Sequence, residues 1–111
     1  MPRDYKVYID DIIEAIERIR DYTTGLSLET FSNDRKTVDA VNRNLAIIGE
    51  AVNRIPEEIK TKYQNIEWYK IIGLRNILIH DYFRVDLEII WDIIENKLFL
   101  LEKQVKEMYQ D

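Results

Sequence analysis

From Tyr8 onward the apolar residues of this chain recur at intervals of three and four. Tyr8, Ile9, Ile12, Ile13, Ile16 and Ile19 form one stripe on a helix expected from about Asp4 to Tyr22, ended by Thr23, Thr24 and Gly25. Val38, Val41, Leu45, Ile48, Val52 and Ile55 alternate steps of three and four. That is a narrow seam, the kind that packs against another helix. Leu87, Trp91, Ile94, Leu98, Leu101, Val105 and Met108 repeat the pattern near the C-terminus. A further apolar run, Ile71, Ile72, Leu74, Ile77, Leu78 and Ile79, falls between the two seams, on a helix starting near Ile66–Trp68.

The punctuation fits these helices. Residues 24–33 read as a connector rich in Ser and Thr, and Asn33 or Asp34 as the N-cap of a second helix that runs to about Asn53. Pro56 stops that helix, and Glu57-Glu58-Ile59 starts a short helical turn. Phe83–Val85 reads as a connector, and Asp86 as the cap of the last helix. With three glycines, two prolines and no strand-like alternation, the prediction is all-α: a four- to five-helix up-and-down bundle, one domain over residues 1–111. Ile47, Ala51, Ile89, Ile90, Ile93 and Phe99 flank the seams and spread apolar surface over more than one face. Dimerisation through helix faces is therefore expected.

Composition narrows the class. At 46% apolar and 33% charged the chain is globular, not disordered. The absence of cysteine excludes disulfides and thiolate metal sites. The charged N-terminus lacks the apolar core of a signal peptide, and no apolar stretch approaches a membrane span, so a cytoplasmic protein is expected. The net charge of −5 argues against a nucleic-acid binder, but its distribution argues back. Residues 35–85 carry nine basic against six acidic side chains, between two acidic ends. The basic middle segment is the one that could face a polyanion.

Candidate chemistry gathers in Arg75-Asn76-Ile77-Leu78-Ile79-His80-Asp81-Tyr82. His80 is the one histidine in the chain. An imidazole can take the proton of a ribose 2′-hydroxyl or return one to a leaving oxygen. An arginine can grip a phosphate through two donors as charge builds on it. Asn76 could position a phosphate or sugar oxygen. The set suits metal-independent RNA cleavage, with neither metal nor cofactor expected. Spacing is the difficulty. Five residues place Arg75 and His80 about 140° apart on a regular helix. Either the helix ends near His80, or a second subunit completes the site. Arg75 lies in apolar surroundings and needs a partner, for which Asp81 and Glu50 are candidates. Gly49 and Gly73 are read as marks of close helix contact, and the Trp68/Tyr69 pair as packing rather than base stacking.

The stretch from Arg75 to His80 with Tyr82 resembles the R-x4-H-x-Y pattern of HepT-like toxins in the HEPN superfamily (higher eukaryotes and prokaryotes nucleotide-binding domains). Gly73-Leu74 before it and Phe83 after it, Asn44-Leu45-Ala46-Ile47-Ile48-Gly49-Glu50-Ala51, and Val85-Asp86-Leu87-Glu88-Ile89-Ile90-Trp91 extend the resemblance over most of the chain. It implies a dimeric HEPN-like bundle whose two motifs line a cleft at the interface. It implies an endoribonuclease toxin of a type VII-like toxin–antitoxin system, acting on an RNA such as tRNA or mRNA. Arg75 and His80 would be catalytic, and Asn76 the polar residue of the motif. The implied partner is an MntA-type nucleotidyltransferase antitoxin, within a larger hetero-oligomer, that silences the toxin by adding AMP to Tyr82. Two other readings compete: a non-catalytic nucleotide- or RNA-binding helical module, and an assembly protein in which the motif is structural.

Overall fold

Several helices begin where a side chain takes up an unpaired N–H group. A computed structural model of the chain describes residues 4–110, and every regular element among them is helical. Helix α1, Tyr5–Thr23, is capped by the Asp4 carboxylate on the Lys6 N–H at 2.9 Å. Gly25, at φ +82°, takes the left-handed conformation that turns the chain after it. Residues 24–33 hold more than a connector. Ser27 and Thr30 form a capping box around the short helix α2, Leu28–Ser32, which drops Phe31 into the core 5.2 Å from the ring of Trp91. The Ser/Thr content that reads as a linker is thus the cap of a short helix that buries Phe31.

Asp34, not Asn33, caps helix α3, Arg35–Arg54, accepting from the Thr37 N–H at 3.2 Å and its hydroxyl at 2.7 Å. Helix α4, Glu57–Lys62, follows Pro56, and helix α5, Trp68–His80, carries the motif. The indole N–H of the buried Trp68 reaches the carbonyls of Lys60 and Tyr63 at 3.2 and 3.1 Å, locking the start of α5 to the end of α4. A 3₁₀ turn, Tyr82–Arg84, leads to helix α6, Leu87–Asp92, which Asp86 caps as predicted. A π turn, Ile93–Lys97, then joins α6 to helix α7, Leu98–Glu107.

The π turn revises the last seam. Leu98, Leu101, Val105 and Met108 are all buried, but upstream Ile90 is the buried residue and Trp91 and Ile94 are half-covered. The wider turn shifts the facing of α6 relative to α7, so one periodic stripe does not serve both halves.

Helix α3 is central. It packs against α1 on one side and α5 on the other, with α7 against α1 and α2 against α3 and α6. Arg20 of α1 donates to the buried Glu102 of α7 at 2.8 Å, and Lys106 lies 3.5 Å from the same carboxylate. The guanidinium holds the Glu102 carboxyl below the usual glutamate range and is itself raised in turn. Among the described residues, no helix is long and apolar enough to cross a membrane.

Candidate active site

The site is built where α5 crosses α3. Gly49 makes the crossing possible: a Cβ there would overlap the Cβ of Arg75 and lie 2.7 Å from its Cγ. Gly73 plays no such part, since a Cβ added to it meets nothing within 4 Å, and the expectation of a close contact there is corrected.

With its stem lying on α3, Arg75 reaches Glu50. Its Nη2 pairs with Glu50 Oε1, and its Nη1 donates to Asn76 Oδ1 at 2.8 Å. Arg54 lies 3.8 Å from the other Glu50 oxygen. Of the two partners foreseen for Arg75, Glu50 is the one present; Asp81 pairs with Arg84 at 3.2 Å instead. The Arg75 side chain keeps 22% exposure, while its Nε is buried with no partner among the described residues. Nη1 and Nη2 are held in one plane by an amide and a carboxylate.

His80 is the last residue of α5 and is exposed. The Asp81 N–H bonds the Ile77 carbonyl at 2.9 Å and closes the helix just beyond it. Because α5 stays regular through His80, the offset of about 140° between Arg75 and His80 persists. Arg75 faces α3, and the His80 imidazole makes no hydrogen bond or ion pair among the described residues. One chain thus brings Arg75 and Asn76 together and leaves His80 apart.

Tyr82 is fixed across the helix pair. Its hydroxyl donates to Asp39 Oδ1 at 2.7 Å and accepts from Asn42 Nδ2 at 3.3 Å, while 39% of the residue stays exposed. Asp39 and Asn42 escaped the sequence reading. The only hint of Asn42 is a polar residue set directly beside Val41 of the seam.

A groove of about 500 Å³ adjoins the crossing, lined by Tyr8, Asp11, Arg43, Ile47, Glu50, Arg54 and Ile79 among others. A second cavity, of about 310 Å³ between α1 and α6–α7, is lined by none of the motif residues. Among the described residues no three carboxylates or imidazoles gather at metal-binding distance. Trp68 is buried as packing, whereas Tyr69 is 65% exposed.

An all-helical bundle carrying R-x4-H-x-Y at the end of a helix laid across its neighbour has the character of a HEPN-like domain. The chain belongs to the family described as Ribonuclease HepT-like, whose profile matches residues 12–108. A Methanocaldococcus jannaschii protein with the provisional name RNase is 40% identical over 112 residues, covering all of this chain and 93% of its own. One from Caldanaerobacter subterraneus subsp. tengcongensis, also provisionally named an RNase, is 41% identical over 103 residues, 93% of this chain and 92% of its own. A Thermococcus cleftensis protein named "Probable ribonuclease HepT" is 38% identical over 108 residues, 97% of this chain and 98% of its own. No solved structure matches the chain.

Proposed function

We propose that the protein is a metal-independent endoribonuclease toxin of a type VII-like toxin–antitoxin pair, cutting RNA at a site composed across a homodimer. The observation that carries this reading is the division of the motif within one chain. Arg75 is oriented by Glu50 and Asn76, and His80 stands exposed at the end of α5 without a polar partner among the described residues. A two-fold partner supplies what the single chain lacks. One His80 accepts the proton of a 2′-hydroxyl, whose oxygen attacks the adjacent phosphorus. The other His80 protonates the departing 5′-oxygen, leaving a 2′,3′-cyclic phosphate. Arg75 neutralises the pentacoordinate phosphorane, and Asn76 positions it. Ile77, Ile79 and Phe83, exposed beside the motif, support an apolar contact between two copies. The partial exposure of Tyr82 supports the further proposal that an MntA-type nucleotidyltransferase silences the enzyme by AMP addition to its hydroxyl, setting negative charge and bulk beside the site.

The test is incubation of unmodified protein with total RNA in EDTA. Cleavage with cyclic phosphate ends is expected, falling by about 10²- to 10⁴-fold in His80→Ala, the usual worth of acid–base help. Undiminished cleavage by folded His80→Ala rules the reading out. Co-expression with the nucleotidyltransferase should add the mass of one or more AMP groups, and Tyr82→Phe should abolish the addition. The Arg75–Glu50 pair favours one second reading, a structural motif in an assembly protein. Arg75→Ala separates the two: under the catalytic reading cleavage is lost while the fold persists, and under the structural one the melting temperature collapses and wild type shows no cleavage.

A further inference from the structure

His80 has an exposed ring and no hydrogen bond or ion pair among the described residues, so the backbone that carries it sets its position. That backbone continues through Asp81 into the 3₁₀ turn Tyr82–Arg84. Within the turn, the Arg84–Asp81 pair and the bonds from the Arg84 and Val85 N–H groups are local. Phe83 is fully exposed, and Val85 adds one half-buried apolar contact. The turn's hydrogen bonds to another helix, among the described residues, are the two at the Tyr82 hydroxyl: donation to Asp39 Oδ1 at 2.7 Å and acceptance from Asn42 Nδ2 at 3.3 Å. Asn42 is only 5% exposed, and its Oδ1 has no partner among the described residues. A buried amide with an unfilled acceptor is costly, and the bond to Tyr82 offsets only part of that cost.

We propose that Asp39 and Asn42 are positioning residues for His80, acting through the Tyr82 phenol, whose two hydrogen bonds to α3 hold the end of α5 in place. The proposal rests on the reading of His80 as the acid–base group. It also makes the phenol the point where the fastening opens. Tyr82 must give its proton to Asp39, so a phosphoester on Oη has none to give and brings negative charge against the Asp39 carboxylate. A group attached to Tyr82 thus unseats the imidazole as well as covering it.

Because the chain has one histidine, the ring C–H signals of His80 in a ¹³C-correlated NMR spectrum are free of overlap and read its environment without reference to activity. Tyr82→Phe and Asp39→Ala should each shift or broaden those signals and lower kcat on RNA by about tenfold to a hundredfold, the scale of a small displacement at a reacting group, with KM little changed. The double variant should be no slower than the worse single one, since both cut the same fastening. Asp39→Asn, which keeps an oxygen for the phenol, should restore both the signals and the rate. Folding of each variant is checked by far-ultraviolet circular dichroism. Unaltered His80 signals in folded Tyr82→Phe and Asp39→Ala overturn the proposal, as do losses that add in the double variant. If wild type cleaves no RNA, the ribonuclease reading fails by itself. The ring signals then decide the geometry alone, an altered spectrum sustaining the tether and an unaltered one removing it.

Discussion

Helices α3 and α5 lie side by side, yet they use their apolar residues in opposite ways. On α3 most apolar side chains fall on one buried face: Val38, Val41, Leu45, Ile48, Ala51 and Val52 keep 4% exposure or less. On α5 apolar residues surround the helix, and only Trp68 is buried; Ile71, Ile72, Leu74 and Leu78 are half-covered, and Ile77 and Ile79 are 43% and 47% exposed. The polar groups invert the contrast. α3 contributes Asp39, Asn42 and Glu50 as partners, and α5 with its adjoining turn contributes the groups they hold, Arg75 and Tyr82. So much uncovered apolar surface is what the proposed homodimer contact would cover. The lesson is that α3 is spent on the fold, while the candidate chemistry sits on a helix that buries little of its apolar surface within the chain.

Five substitutions can break or sharpen that contrast. The largest loss is expected inside α3: Leu45→Ala should cost about 2–5 kcal/mol through lost burial and an unfilled cavity, read by denaturant unfolding. Gly49→Ala comes next, at about 1–3 kcal/mol, because the new methyl meets the stem of Arg75 and must push α5 outward; cleavage should fall with it. Glu102→Gln, remote from both helices, should cost about 1 kcal/mol, the pair being half open on its arginine side. Its sign with pH is fixed. The folded carboxyl titrates below the ordinary glutamate value of 4.5, so the stabilisation is complete above that pH and vanishes as pH falls through the lower folded value. Wild type and variant should therefore converge in acid melts. Smallest of all, Ile77→Ser and Ile79→Ser should alter stability at low protein concentration by only about 0.5 kcal/mol, since both side chains are already half in water. Both should shift the sedimentation of the protein towards monomer. A large unfolding cost in either would mean that α5 is a core helix after all.

Much of this architecture was legible in the residues. The α1 stripe, the α3 seam, the caps at Asp34 and Asp86 and the stop at Pro56 are local patterns, and local patterns survive into the structure when nothing distant competes with them. Two features were not legible. Helix α2 is too short to show a period, and only its Ser27–Thr30 box betrays it. The π turn has no residue signature, because Ile93 to Lys97 would serve equally well in an unbroken α-helix. The site divides in the same way. Arg75, Asn76, His80 and Tyr82 lie within eight residues of one another and announce themselves. Their holders stand 25 to 43 residues earlier in the chain, and only the pairing of α3 with α5 brings them together. Glu50 was foreseen as one of two partners because a charge in apolar surroundings needs one. Asp39 offered nothing to set it apart from any exposed acid, since a hydroxyl can be satisfied by many groups.

The bare backbone at Gly49 has a mechanical consequence. Where the stem of Arg75 rests directly on α3, rotation of α5 about its own axis drives the arginine into a neighbouring main chain and is resisted. Tilting about that point is not resisted in the same way. The crossing therefore acts as a fulcrum, and His80, about 7.5 Å further along the axis at 1.5 Å per residue, is the end of the lever. The fold thus sets Arg75 at the pivot, where movement is least, and His80 at the arm, where a small tilt makes the greatest difference.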